Sequence, residues 1–277
     1  IKAFFIFLIT LFFNQKIHAQ PGTLDPTFGD SGLVIYNVYN EAKSSLIQPD
    51  GKIVLLSSSL YEATEVRRFY PDGSIDSTFG ENGVAYFGYD GHINYPSKIA
   101  IQPDGKLVFT NEYFSEPHTY VGIIRCNPDG TPDSSFGING LDTVHLDNAN
   151  YVNGMVIQPD GKIVVIGTCR PSFSVQPNSF IFRIMPNGGL DPSFGENGSV
   201  ITQYDEYVST AGLVLKPDGK LVKGLTYHLY YSHPTYQLES FNPDGSVDAG
   251  FGTNGVARFT FGEGQGGQWN SIMYDLA

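Results

Sequence analysis

The chain is poor in several things, and each shortage excludes a class of protein. Only two of its 277 residues are Cys, which excludes a disulfide-stapled scaffold and a cysteine-ligated zinc fold. Basic residues are scarce. Sixteen Lys and Arg stand against 28 Asp and Glu, a formal charge of −12, so there is no electrostatic basis for binding nucleic acid. No apolar run approaches the roughly 20 residues a helix needs to span a bilayer. No stretch sustains a 3.6-residue apolar period, which predicts almost no helix. The His-Glu-x-x-His and Gly-x-Ser-x-Gly patterns are also absent, and with them the usual signs of a zinc protease and a serine hydrolase.

Turn formers are abundant. The 32 Gly and 17 Pro make up about 18 % of the chain, against roughly 12 % in an ordinary domain and 25–30 % where unperiodic disorder begins. Hydrophobic residues reach 41 % and aromatics 14 %. A folded protein with many turns is the expectation.

Residues 1–19 read as a separate segment. Lys2 precedes the apolar run Ala3 to Phe13, and a polar stretch ends at the small residue Ala19. A basic start, a short apolar core and a small residue before the cut describe a secretory signal peptide. The mature chain is then 20–277, exported, with no transmembrane segment after signal removal. Because the chain begins with Ile, we expect further sequence upstream. Cys126 and Cys169 fall at opposite ends of their strands, too far apart to bridge, and are expected to be small buried hydrophobes.

Internal periodicity decides the fold. Asp25-Pro26-Thr27-Phe28-Gly29-Asp30-Ser31-Gly32 returns at Asp76 to Gly83, Asp133 to Gly140, Asp191 to Gly198 and Asp248 to Gly255. The Phe of each copy, at 28, 79, 136, 194 and 251, is spaced by 51, 57, 58 and 57 residues. A second marker, Gln-Pro-Asp-Gly-Lys, begins at Gln48, Gln102 and Gln158, with Lys216 in the fourth copy. A third, Pro-Asp-Gly or Pro-Asn-Gly, begins at Pro71, Pro128, Pro186 and Pro243. Pro-Asp-Gly-Lys suits a three-residue hairpin loop, since Pro presets φ, Asp fits the next turn position and Gly takes the left-handed one. One unit then reads as four strands, in the second copy about 84–89, 97–102, 106–112 and 120–127. Four antiparallel strands every 50 to 60 residues describe an all-β, β-propeller-like fold, with four complete four-stranded repeats and a partial fifth. A sandwich has no reason to repeat its turns in register. The fifth copy stops after Met273, before its Pro-Asp-Gly-Lys, so further sequence is expected downstream too.

Leu-Asp-Pro-Thr-Phe-Gly-Asp-Ser-Gly at 24–32 together with Gln-Pro-Asp-Gly-Lys-Ile at 48–53 resembles the delta-60 repeat family of secreted bacterial proteins. The resemblance covers residues 20–277. It implies a propeller-like fold and an exported, often cell-surface protein, with a C-terminal sorting domain in many relatives. It carries over no enzymatic activity.

Strand direction places the Pro-Asp-Gly-Lys turns and Phe-Gly linkers on one rim and the other two loops of each unit on the opposite rim. The first rim is nearly uniform and reads as scaffold. The second differs in every copy, the usual place for binding. The candidate ligand-binding residues on it are Tyr89, His92, Tyr95, Tyr113, His118, Tyr207, His228, Tyr230, Tyr231, His233 and Trp269, with Tyr204 and Tyr227 in the same loops. Tyr and Trp offer large rigid faces with a polar tip, suited to sugar rings or protein partners. Packing between blades is the alternative for any single Tyr.

No metal and no cofactor are expected. The linker Asp at 25, 76, 133, 191 and 248 invites a calcium site, but the next candidate ligand reads Asp30, Glu81, Ile138, Glu196 and Thr253, so a repeated site fails. Each Asp is expected to cap its own turn. Arg68, Arg125 and Arg183, replaced by Ser240 in the fourth copy, are expected to hydrogen-bond between blades. Gly262 to Gly267 matches the letters of Gly-x-Gly-x-x-Gly without a following helix and is set aside. No equivalent position breaks the repeat with an isolated catalytic-looking group. The expectation is therefore a non-catalytic binding protein for a protein or glycan partner. The alternatives are a hydrolase or lyase with a central-channel site, or a structural spacer in a longer surface protein.

Overall fold

The computed structural model describes residues 22–35, 41–58, 63–88, 93–115, 118–145, 151–169, 178–227 and 235–259. Among them there is no α-helix, and sixteen strands form four antiparallel four-stranded sheets. The first blade holds β1 (Glu41–Ile47), β2 (Ile53–Ser58), β3 (Thr64–Phe69) and β4 (Val84–Phe87). The second holds β5 (Ile93–Ile101), β6 (Leu107–Ser115), β7 (His118–Cys126) and β8 (Leu141–His145). The third holds β9 (Tyr151–Ile157), β10 (Ile163–Cys169), β11 (Asn178–Ile184) and β12 (Ser199–Thr202). The fourth holds β13 (Val208–Leu215), β14 (Leu221–Tyr227), β15 (Thr235–Phe241) and β16 (Val256–Phe259). Successive blades meet through their first strands, β1 with β5, β5 with β9 and β9 with β13, which are therefore the inner ones.

This arrangement corrects the expected unit by one strand. The strand after each Asn-Gly was expected to open a blade. Instead, β4 pairs with β3 and β8 with β7, each closing the preceding blade as its outermost strand. The linker between them folds back on itself through successive turns, so the chain returns beside the strand it has just left. The partial fifth copy and the signal segment 1–19 lie outside the described residues, apart from the linker and outer strand β16.

The expected turns are present. Gln102 N–H donates to Lys106 O and Gly105 N–H to Gln102 O, with Gly105 at φ +84°. The linker carboxylates cap their own turns: Thr78 N–H donates to Asp76 at 3.1 Å and Ser135 N–H to Asp133 at 3.1 Å. Both cysteines are buried.

Each seam between blades is an apolar layer plugged by a linker Phe. Phe79 closes the first seam with Val54, Leu56, Leu107 and Phe109. Phe136 closes the second with Val108, Ile123, Ile163 and Val165. Phe194 closes the third with Val164, Ile181, Leu213 and Leu221. All three rings are fully buried, each worth roughly 1.5–3 kcal/mol of transfer free energy.

The expected Arg contacts rivet the same seams. Arg68 Nε donates to Asp76 at 2.7 Å, its Nη1 donates to Pro128 O in the next blade at 2.5 Å, and its guanidinium lies 4.7 Å from the Phe79 ring centre. Lys52 adds an ion pair to the same carboxylate at 3.2 Å. Arg125 and Arg183 repeat the pattern with Asp133 and Asp191, reaching Pro186 O and Pro243 O. In the fourth copy Ser240 only donates to its own linker carboxylate, Asp248, at 3.0 Å. A second bond crosses each seam from the linker: Gly80 N–H donates to Asp129 O, Gly137 N–H to Asn187 O and Gly195 N–H to Asp244 O. All of this lies on the rim of the Pro-Asp-Gly-Lys turns, which is scaffold as expected.

Candidate binding cleft at the variable rim

The four blades place one cross-strand pair at the heart of each leading face. It is Leu55 opposite Arg67 in the first blade, Phe109 opposite Ile124 in the second and Val165 opposite Phe182 in the third. The fourth blade puts Lys223 opposite Glu239 at that position. Lys223 is fully buried, and its Nζ lies 2.8 Å from Glu239 Oε2. Its ammonium also donates to Ser179 Oγ at 2.7 Å and to the Tyr204 hydroxyl at 3.2 Å. All three ammonium donors are thus used. Tyr204 donates to Glu239 at 3.0 Å, and Gln237 Nε2 donates to the same carboxylate at 2.6 Å. Arg258 Nε donates in turn to Gln237 Oε1. The third blade supplies Ser179 and Tyr204; the fourth supplies the rest.

Electrostatics follow from burial. Desolvation pulls the Lys223 ammonium below its usual value, opposed by the charge and hydrogen bond of Glu239. Burial pushes the Tyr204 hydroxyl up, and the Glu239 charge pushes it further. The Tyr204 shift carries its hydroxyl further from neutrality.

The cluster backs a cleft of about 490 Å³ on the variable rim, lined by Gln203, Tyr204, Asp205, Glu206, Tyr227, Thr235 and Arg258. The rings of Tyr204 and Tyr227 meet edge to face at 5.9 Å, and the Arg258 guanidinium lies 5.5 Å from the Tyr227 ring centre. Two aromatic rings, two carboxylates, an amide, a hydroxyl and a guanidinium therefore converge in one concavity.

The eleven residues nominated from sequence fare differently. Tyr95, on β5, and Tyr207, just before β13, are exposed at 44 % and 39 %. Tyr113 is not a rim residue. It is 2 % exposed, and its hydroxyl accepts from Asn111 Nδ2 at 3.3 Å within the first seam. Its ring occupies the space over Gly122, where a Cβ would come within 2.2 Å of it. A Gly within the strand, between Val121 and Ile123, was the available signal for that close approach. His118 opens β7. Tyr89, His92, His228, Tyr230, Tyr231, His233 and Trp269 lie outside the described residues. None of the eleven is among the described residues lining the cleft.

The expectation that no position breaks the repeat is corrected by Lys223 and Glu239. Another buried acid, Glu112, lies in the second seam, where it accepts from Ser97 Oγ at 2.7 Å and Val152 N–H at 2.8 Å. Burial holds its carboxyl above the usual range. Glu112 and Glu239 occupy different seams, so they do not form a facing pair. Among the described residues, no three His, Cys, Asp or Glu group as metal ligands, and no helix is long and apolar enough to cross a membrane.

Some solved structures are similar to this chain at low identity. A protein of unknown function from Bacteroides caccae is 13 % identical over 81 % of this chain and 74 % of its own, with a TM-score of 0.44. An endo-arabinase from Bacteroides thetaiotaomicron VPI-5482 is 11 % identical over 83 % and 96 %, with a TM-score of 0.45. A catalytically inactive virginiamycin B lyase from Staphylococcus aureus is 12 % identical over 84 % and 74 %, with a TM-score of 0.39. No curated protein matches. The family described as "Domain of unknown function (DUF5122) beta-propeller" matches residues 48–79, 102–136 and 158–194. Each match runs from the Gln of the hairpin turn to the Phe that plugs the seam. Over those segments the chain is similar to a β-propeller repeat family.

Proposed function

We propose that this is an exported, non-catalytic propeller-repeat protein that binds a protein or glycan partner through its variable rim. The cleft between the third and fourth blades is the observation that carries this reading. It gathers aromatic and hydrogen-bonding groups on the rim whose loops differ from copy to copy, while the opposite rim repeats one clasp at each seam. Binding surfaces concentrate in such loops on a rigid scaffold. A non-catalytic role fits the same site, since Lys223 is sealed from solvent and every donor of its ammonium is engaged. No metal, cofactor or nucleic acid enters this reading.

The test is capture on glycan and secreted-protein arrays by the purified chain. Replacing residues 203–207 by a Gly-Ser stretch should abolish a hit that survives substitution of Lys106 on the scaffold rim. Loss with the Lys106 variant alone, or turnover of a captured glycan, would reject the proposal.

A further inference from the structure

We infer that the cleft between the third and fourth blades takes one sugar unit of a neutral glycan, and that Lys223 is the residue that holds its Tyr204 wall in place. This rests on the rim reading above and narrows it to one ligand class and one location.

Shape comes first. The cleft volume of about 490 Å³ falls in the range of small-ligand sites, roughly 300–1,000 Å³, whereas a stable protein contact needs a broad face of about 800 Å² per partner. Charge comes next. Asp205 and Glu206 outnumber Arg258 among the described lining residues, which opposes an anionic ligand. A neutral ring bearing hydroxyl groups satisfies the carboxylates as a donor and the guanidinium as an acceptor. Its apolar face suits an aromatic ring.

The third argument is preorganisation. The Tyr204 hydroxyl is tied to Lys223, Glu239 and Ser179, and Arg258 is tied through Gln237 to the same carboxylate. Two cleft residues thus hang from one buried cluster, which lowers the cost of ordering them when ligand arrives. Packing alone does not call for that cluster. The other seams hold Phe109 with Ile124 and Val165 with Phe182 at the same place, and a buried ion pair is often no more stable than its hydrophobic replacement.

Calorimetric titration of the whole chain with neutral hexose and pentose oligosaccharides tests this, with sialylated and sulfated ones as comparators. A neutral oligosaccharide is expected to bind. Arg258→Ala and the double change Asp205→Asn, Glu206→Gln should each weaken it at least tenfold at an unchanged melting temperature. The double variant Lys223→Met, Glu239→Leu should melt at or above the wild type yet also lose at least tenfold in affinity, a split that a purely structural role would not produce. Wild-type affinity in that variant removes Lys223 from the site, and if it does not fold, Tyr204→Phe supplies the same comparison. Preference for the anionic sugars, or binding of no neutral one, overturns the inference. A glycan indifferent to the cleft changes but lost on replacing another variable loop would leave the rim reading standing and reject this one.

Discussion

Arg125 Nη1 donates to the carbonyl of Pro186 at 2.5 Å, across 61 residues of chain and from one blade to the next. The same guanidinium holds Asp133 at 2.7 Å through Nε and lies 4.6 Å from the Phe136 ring centre. One side chain therefore joins the cap of its own linker, the plug of the seam and the backbone of the following repeat. Arg125→Ala should destabilise the protein by about 3–5 kcal/mol, as removal of one partner from a buried pair does. Arg125→Lys should recover only part of this, because an ammonium cannot serve the three partners of a planar fork. Guanidinium unfolding curves read both values. An Arg125→Ala curve superimposable on the wild type would show that the seam does not depend on the clasp.

The acid limb of stability follows from the same carboxylates. Burial alone would raise Asp76, Asp133 and Asp191, but hydrogen bonds from Thr78, Ser135 and Ser193, with the adjoining Lys and Arg, hold all three well below the usual range. A depressed folded value means that the unfolded chain binds protons first. Their stabilisation is therefore complete above the unfolded value near 3.9 and is lost as pH falls below it. Thermal melts between pH 7 and 3 should show Asp133→Asn less stable at pH 7, with the gap to the wild type closing below about pH 4. A constant gap across that span would count against the carboxylate.

Two glycines separate backbone strain from seam packing. Gly105 and Gly130 both have positive φ, +84° and +90°, so an Ala at either carries a similar left-handed penalty of roughly 1–2 kcal/mol. A Cβ at Gly105 would meet nothing closer than Pro128 Cγ at 3.4 Å. At Gly130 it would lie 2.9 Å from Gly80 N and 3.1 Å from the Phe79 ring. Gly130→Ala should therefore melt well below Gly105→Ala. Equal melting temperatures would mean that the seam yields without cost.

Cys126 should be chemically silent. It is fully buried at the end of β7, and burial pushes its thiol up to about 12. A thiol reagent at pH 8 is expected to label it only on unfolding, with the rate following denaturant. Rapid labelling of the native protein would show that the first seam opens.

Turn chemistry was the legible part of this chain. Pro, Asp, Gly and Asn each act through their own backbone preferences, so the hairpins, the capping Asp residues and the sorting of loops to two rims could be read residue by residue. The Arg clasp was legible too, because three copies share it. Strand membership was not, since a turn signals reversal without saying which sheet the returning strand joins; β4 and β8 therefore went to the wrong blade. Lys223 escaped notice for another reason. A lone Lys in a strand reads as solvated, and only its register opposite Glu239, in the place of Phe109 with Ile124, reveals it as buried. Tyr113 was misjudged because aromatic character alone does not separate a rim from a seam; the facing Gly122 does.

Each blade is one continuous run of four strands, but the linker that leads into its outermost strand carries the Phe that plugs the seam with the next blade, so outer strand and seam are tied together. β8, for example, cannot leave β7 without dragging the linker that carries Phe136 out of the neighbouring seam. Peeling the arc from either end would require a strand and a plug to come away together. The linkers act as basting stitches, and a protease nick in a variable loop would leave the fabric sewn.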